Sequence, residues 1–563
     1  MSRSSRQPSR VSNPAPSPGQ LRSRNLLLLL ALSFALLILS FAPYVRSDGF
    51  PVWLALVPML FAARLTDYRR LALAGWVLGC VAGAVSVLWL RHVSLAALLF
   101  LALYLSFYPP VFLTGWKLLD RRLGWPAALS VPLLWVPLEY VRSFLLTGFP
   151  WFYLGHSLYR NLLLIQIADL AGAYAVSVLV AAVNGVAADA LWLLLFRGQK
   201  EGGRRRPLKQ VVASAVAVAL AIGATALYGH ARLGQVRVVG GPKVALIQGN
   251  IPQSLKFKPM ESRKIFGIHQ ALSLQAASEE PDLVIWPETM LPGVFDGEYF
   301  MTLDRTFDLD SSVRQMLGQL DRPLLAGVRT ESALGDQFNS AVLLEASGEV
   351  VATYSKVHLV PFGEFVPRIL RAPLELLPEK LNPIPYRFGL EAGRTQTIFE
   401  LTSPNGPETK PLRFGVLICY EDIMPYLARG LARRGADCLV NITNDGWFRD
   451  SAELDQHVIG SVFRAVETRC PVLRGANTGI TSIISPRGEE VARLRDPVSG
   501  RDREVPGFLL WEVPLSQPGG QTIYVQWGDR PVQVLAAAAL LLLVFAGEGG
   551  WRERKTAKSD FFD

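Results

Sequence analysis

The chain has 563 residues, 50% of them hydrophobic and only 18% charged, with a mean hydropathy of +0.27. Soluble globular proteins carry about 25% charged residues. The composition therefore leans to the membrane and excludes a disordered chain and a collagen-like fibre, while four cysteines (Cys80, Cys419, Cys438, Cys470) are too few for a disulfide framework.

The net charge of +10 sits in two short blocks: residues 1–24, with five Arg and no acid, and residues 197–209, with six Lys/Arg and one Glu. A nucleic-acid binder would place the excess on its folded domain. Basic blocks beside apolar runs instead mark the cytoplasmic flanks of membrane helices. Residues 1–24 are rich in Ser, Pro and Arg and read as a disordered cytoplasmic tail.

A membrane-spanning helix needs about 20 apolar residues. The sequence predicts about eight, near 26–44, 50–64, 71–90, 95–117, 125–146, 170–196, 210–229 and 531–547, the second and last being short. Residues 25–229 then form a seven-helix transmembrane domain. The first run competes with a cleaved signal peptide, but it is long for one, lacks a clean small-residue cleavage site and is followed by further spans. With a cytoplasmic N-terminus, the inside loops hold Arg69, Arg70, Lys117, Arg121, Arg122 and the 197–209 block, while the outside loops hold Arg46, Arg91 and a few others. This bias puts residues 230–530 outside and returns the tail, 548–563, to the cytoplasm through the final helix.

Within 230–530 the texture changes. Short runs rich in Val, Ile and Leu appear at 243–250, 282–288, 322–328, 339–345, 413–421, 437–443 and 480–485. They have strand length, and helical candidates at 258–279 and 452–469 fall between some of them. This alternation predicts an α/β domain on a mixed, well-covered sheet. The stretch 365–390 mixes apolar residues, Pro and Arg around Leu377, and reads as a membrane-facing lid or rim, or as an ordinary packed loop.

Three segments in this domain can carry chemistry. Cys419 ends the apolar run GVLIC, where a strand turning into a helix would favour the thiolate. A buried core cysteine fits the same position, and Cys438, amid an apolar strand, fits that reading better. Glu288 closes IWPE at a strand mouth, where partial burial makes a usable base; a surface Glu fits equally. The loop 354–367 (YSKVHLVPFGEFVP) holds Lys356, His358 and Glu364. Its Lys is an oxyanion stabiliser or a solvated loop residue, and its His is most simply a satisfied loop histidine. No metal motif, G-x-S-x-G or phosphate loop is visible, so neither metal nor cofactor is expected. Glu139 and Arg142, before GFPW (148–151), lie near the predicted outer boundary of the membrane, where ionisable residues are often functional. They are expected to pair and shape a lipid cavity.

Taken together, the order Glu288…Lys356…Cys419 resembles the nitrilase (carbon–nitrogen hydrolase) superfamily, with its Glu-Lys-Cys triad on an αββα sandwich. Set between membrane helices, and with GFPW (148–151), HLVPFGE (358–364), CYE (419–421) and NDGWF (444–448), the chain is similar to the apolipoprotein N-acyltransferase family. Gly446 in NDGWF stands where that family often has Ala.

The resemblance implies a bacterial inner-membrane enzyme with its catalytic domain on the periplasmic side. It would carry an acyl chain from a phospholipid, phosphatidylethanolamine being the expected donor, to the α-amino group of diacylglyceryl-modified apolipoproteins through a cysteine thioester. It implies Glu288 as general base, Lys356 and a backbone N–H near Tyr420 as oxyanion donors, Cys419 as nucleophile, and Glu364, Tyr420 and Glu421 as support. Trp151, Trp447, Arg142 and Glu139 are expected to contact substrate. A membrane-tethered nitrilase-type amidase acting on a small amide shares the triad. A transporter with a binding domain would need buried charges and inverted repeats that the helices do not display.

Overall fold

A computed structural model describes residues 23–43, 48–196, 207–256, 258–365, 389–402, 411–517 and 520–559. The N-terminal tail to residue 22, Arg46, most of the 197–209 block and the lid stretch around Leu377 lie outside the described residues.

The N-terminal region is helical: α1 (Ser23–Leu39), α2 (Val57–Leu65), α3 (Tyr68–Ser86), α4 (Leu95–Ser106), α5 (Tyr108–Leu123), α6 (Ala127–Arg142), α7 (Ala173–Leu195) and α8 (Leu208–Gln235). The single helix expected over 95–117 is split at Phe107, ahead of Pro109 and Pro110, because a proline has no N–H to donate to the carbonyl four residues back. The helix expected to end at 229 runs on to Gln235. Among the described residues, 68–86, 95–123, 173–195, 208–235 and 530–548 are long and apolar enough to cross a membrane. Helix α8 exposes Leu208, Val212, Val216, Leu220 and Leu227, and the last helix exposes Val534, Leu540, Leu541, Val544 and Phe545. Apolar faces of that extent are stable against lipid rather than water.

Fourteen strands follow among the described residues, in two mixed sheets. The first contains β1 (Arg237–Gln248), β2 (Leu283–Trp286), β3 (Val294–Phe295), β4 (Phe300–Met301), β5 (Leu324–Glu331), β6 (Gln337–Leu344), β7 (Val350–Ser355) and β14 (Gly507–Gln517). The second contains β8 (Ile398–Leu401), β9 (Leu412–Ile418), β10 (Cys438–Thr443), β11 (Val472–Ala476), β12 (Ser482–Ile484) and β13 (Glu490–Arg493). Parallel pairs, β1–β2–β5 and β9–β10–β11, form the centres. Antiparallel strands extend them outward.

The period-2 alternation of each strand divides its side chains between two cores. Val244, Leu246, Ile285 and Leu325 face Phe414, Val416, Ile418, Val440 and Leu473 between the sheets. Ala245, Ile247, Val284 and Trp286 face outward to α9 (Ser262–Ala277) and α10 (Leu309–Leu320). Leu417, Leu439 and Val472 face α11 (Pro425–Arg433) and α12 (Glu453–Thr468) on the other side. The result is an αββα sandwich.

The α11–α12 layer does not end in solvent. Its core is continuous with Trp89, Phe149, Trp151 and Leu154 of the helical region. Polar contacts fix the junction. Arg469, at the end of α12, lies 2.7 Å from Asp169, which also takes Arg232 of α8 at 2.9 Å. Trp89 donates to Gln456, and Glu467 accepts the Ala173 N–H. The final helix, α13 (Arg530–Ser559), packs on α5 and α6. It continues past the expected end at 547, with its apolar part at 530–548.

Breaking one member of a buried ion pair costs about 3–5 kcal/mol. Asp169→Ala strands both Arg469 and Arg232, so it should lower the Tm in detergent markedly, whereas removing the exposed partner of Lys243 in Glu279→Ala should leave it nearly unchanged.

Candidate active site

Glu288, Lys356 and Cys419 come together at one end of the sandwich, each one or a few residues beyond the end of its strand. Glu288 follows β2 and is buried. Gly327 of β5 makes its position possible: a Cβ there would lie 2.7 Å from the Glu288 Cα and 2.6 Å from the Thr289 nitrogen. Lys356 follows β7 and is fully buried. Cys419 follows β9 with a left-handed backbone, φ +54°, a conformation that non-glycine residues adopt at a cost and that clusters at functional sites.

Lys356 Nζ lies 2.8 Å from Glu364 Oε2 and 3.9 Å from Glu288 Oε1. Burial acts against its charge, but the surrounding Glu364, Cys419 and Glu288 outweigh it, and the ammonium is held above its ordinary pKa. Asn339 on β6 donates one amide group to both carboxylates, at 2.7 Å to Glu288 and 2.9 Å to Glu364. Its carbonyl also receives the Lys356 backbone N–H at 2.8 Å.

Burial pushes the Cys419 thiol well above its usual range; the nearby Glu288 carboxylate raises it further and Lys356 opposes them. No α-helix begins at Cys419: the turn Cys419–Ile423 is a five-residue 3-10 segment, too short to supply a helix dipole that offsets desolvation.

Glu421 is the strut of the turn. Its carboxylate accepts the Ile418, Val357 and His358 N–H groups at 2.8–2.9 Å and the Tyr354 hydroxyl at 2.9 Å. Burial lifts its carboxyl to about 7, against those backbone donors. Behind it, Asp422 accepts from Ser461 and Arg474 and lies 2.9 Å from His457 Nε2. Asp445, Glu453 and His457 converge there, all buried. The Arg474 guanidinium already pairs with Asp445 at 2.8 Å, so the cluster is a compensated charge network.

The remaining expected residues lie towards the membrane helices. The Tyr420 hydroxyl donates to the Gly148 carbonyl at 3.0 Å, and its ring stacks on Trp151 at 6.3 Å. Phe362 of the lysine loop contacts Phe100 of α4 at 5.0 Å. Trp447 is half-buried on the turn after β10, where the next residue, Phe448, packs edge-on against Trp89 at 5.0 Å. Arg142 and Glu139 do not pair, contrary to expectation. Arg142 donates to the Trp151 and Phe152 carbonyls at 2.7 and 3.2 Å. Glu139 accepts the Leu154 and Trp135 N–H groups at 2.7 and 2.9 Å. The backbone of the 151–154 loop takes both, because its buried polar groups need partners. Asn339, Tyr354 and the Asp422–His457–Arg474 network were not readable from sequence. Asn339 stood inside a run legible only as a strand, and the others carry no local motif.

Residues 243–499 match the carbon-nitrogen hydrolase family, and residues 33–186 match the apolipoprotein N-acyltransferase N-terminal domain. The apolipoprotein N-acyltransferase of Geobacter metallireducens is 36% identical, over 92% of this chain and 95% of its own length. The chain belongs to the apolipoprotein N-acyltransferase family. Its relatives of the same name in Azotobacter vinelandii (34% identical, 92% of this chain and 94% of theirs) and Bradyrhizobium diazoefficiens (32%, 80% and 78%) agree. Within this family member, the nitrilase-like sandwich carries the Glu–Lys–Cys cluster and the family's N-terminal domain carries the helices against which it rests.

A carboxyl whose pKa is raised on folding keeps more protons in the folded chain than in the unfolded one. For Glu421 the window runs from the usual 4.5 to about 7, and stability falls as pH rises through it. Glu421→Gln should flatten that segment of a Tm-against-pH series; a slope identical to wild type contradicts the assignment.

Proposed function

We propose that this protein transfers a fatty acyl chain from a membrane phospholipid to the N-terminal α-amino group of S-diacylglyceryl-cysteine lipoproteins, by way of a thioester on Cys419. One observation carries this reading beyond hydrolysis of a small amide. The loops bearing the cluster rest on the membrane helices, through Tyr420 on Gly148 and Trp151 and through Phe362 on Phe100. A site held at the bilayer surface spares a two-chain donor the cost of exposure to water, about 0.8 kcal/mol per CH₂. The family relatives, named as N-acyltransferases over nearly their whole length, favour the same reading over the amidase.

In the first half-reaction Glu288 takes the Cys419 thiol proton, and the sulfur adds to the ester carbonyl of the donor. Lys356 and a backbone N–H beside Tyr420 stabilise the oxyanion, a contribution of about 3–4 kcal/mol per donor. The C–O bond to glycerol breaks, and the glycerol oxygen takes the proton from Glu288. A lysophospholipid leaves and the thioester remains. In the second half-reaction the lipoprotein amine attacks the thioester, Glu288 accepts its proton, the C–S bond breaks and the thiol is restored. Splitting one hard transfer into two easier ones suits two bulky lipid substrates that cannot occupy the site together. Glu364 holds the Lys356 ammonium in line, and Arg142 and Glu139 shape the 151–154 loop beneath the site.

We place the enzyme in the bacterial inner membrane with the sandwich on the periplasmic side and both termini cytoplasmic, supported by the Lys/Arg bias of the loops. Phosphatidylethanolamine is the proposed donor. The sandwich domain is taken as 230–530, between the helices of 25–229 and the last span.

The test is product analysis. Purified enzyme with phosphatidylethanolamine and a diacylglyceryl-modified peptide should yield N-acylated peptide and lysophospholipid in equal amounts. Cys419→Ala should abolish both, and Lys356→Met should slow the reaction by about 10²–10³-fold. Release of ammonia from small amides without peptide acylation would instead establish the amidase.

A further inference from the structure

Two cations border the active site that the mechanism above does not use. Arg329 lies on β5 directly opposite Asn339 in the antiparallel register with β6. Directly opposed residues project to the same face of a sheet, with their Cβ atoms about 4.5–5.5 Å apart. Arg329 therefore shares the face of Asn339, the residue whose amide holds both Glu288 and Glu364. It is half-buried and has no carboxylate or hydrogen-bond partner among the described residues. Burial alone lowers its pKa, with no acid to offset it. Lys256, on the turn Gln253–Lys256, lies beside Glu288. It is half-buried, and its Nζ lies 3.5 Å from the backbone carbonyl of Glu288. Burial drops the Lys256 ammonium to about 8; the surrounding Glu288, Cys419 and Glu364 resist this and Arg329 adds to it.

Among the described residues neither half-buried cation touches a carboxylate, Lys256 meeting only a backbone carbonyl, and such a charge is costly unless a ligand supplies an anion. Lys356 shows the contrast, because it has Glu364 at 2.8 Å. An arginine that presents a planar fork and a lysine that presents a point charge match a phosphodiester. Such a group lies one glycerol unit from the ester that Cys419 attacks.

We infer that Arg329 and Lys256 bind the phosphodiester of the donor phospholipid and so register its acyl ester against Cys419. The inference rests on the proposed acyl transfer and adds the donor's anchoring group to it. The pair reads the phosphate rather than the rest of the head group, so it selects glycerophospholipids over neutral acyl esters.

The experiment compares acylation of Cys419 by two donors, followed by intact mass: dipalmitoyl phosphatidylethanolamine, and the neutral ester p-nitrophenyl palmitate. In Arg329→Gln and Lys256→Met the preference for the phosphate-bearing donor should fall at least tenfold, and Arg329→Lys should recover part of it. Activity on the neutral ester reports that each variant is folded; a variant dead on both donors is replaced by the conservative one. An unchanged preference in both variants, with wild type acylated by phospholipid, overturns the inference and leaves the acyl transfer standing. Failure of wild type to form an adduct with either donor overturns both. Inorganic phosphate, against chloride at equal ionic strength, distinguishes a bare anion site from a lipid subsite. Competition is expected to be weak, under about twofold, and strong competition that persists in Arg329→Gln contradicts the assignment.

Discussion

The site depends on one buried carboxylate. Cys419 is held in a left-handed backbone that its own chemistry does not favour, and it comes from one sheet while Lys356 comes from the other. Glu421 joins them. It receives the N–H that precedes the nucleophile, from Ile418 on β9, and two N–H groups of the lysine loop, from Val357 and His358. The Tyr354 hydroxyl completes its set. Each bond is individually modest, but leaving any of these buried groups unmet costs more than the bond contributes. The strained turn and the lysine loop are therefore fixed to each other rather than to solvent.

A second layer of charge fixes the same turn to the membrane side. Asp422, the next residue, is gripped by Ser461, His457 and Arg474. Burial and Arg474 oppose charge on His457, yet Asp422 and Asp445 lift it to about 10. The His457 ring lies 5.6 Å from Trp151, and Trp151 stacks on Tyr420. Arg142 and Glu139 hold the loop that presents Trp151. Tyr420, beside Cys419, thus packs in the core that the sandwich shares with the helical region. Burial raises the Cys419 thiol above its ordinary range, and the Glu288 carboxylate beside it raises it further.

Much of this was legible in the sequence because it is written in apolar periodicity. The runs at 243–250, 282–288, 413–421 and 437–443 became β1, β2, β9 and β10, and their ends carry the chemistry. Other elements were hidden where charge interrupts the pattern. The strand β11 reads VLRGA, and its Arg474 is fully buried only because Asp422 and Asp445 await it. The three-residue spacing of Glu139 and Arg142 suits a helical pair, but the backbone of the 151–154 loop claimed both. Asn339, Arg329 and Lys256 came from three separate segments, and only the sheet register places Arg329 beside Asn339. Local sequence records which residues are apolar, whereas a polar partner chosen across the fold leaves no local trace.

The account's central claim is that a neutral thiol becomes an acyl carrier through Glu288. Its most direct measurement is the intact mass of enzyme incubated with phospholipid and no acceptor, for wild type and Glu288→Gln. The account predicts one added acyl chain on wild type, released by neutral hydroxylamine. It predicts an unmodified Glu288→Gln whose Cys419 still alkylates at high pH. An adduct forming in Glu288→Gln at the wild-type rate, or none forming on wild type while Cys419 stays reactive, would contradict it.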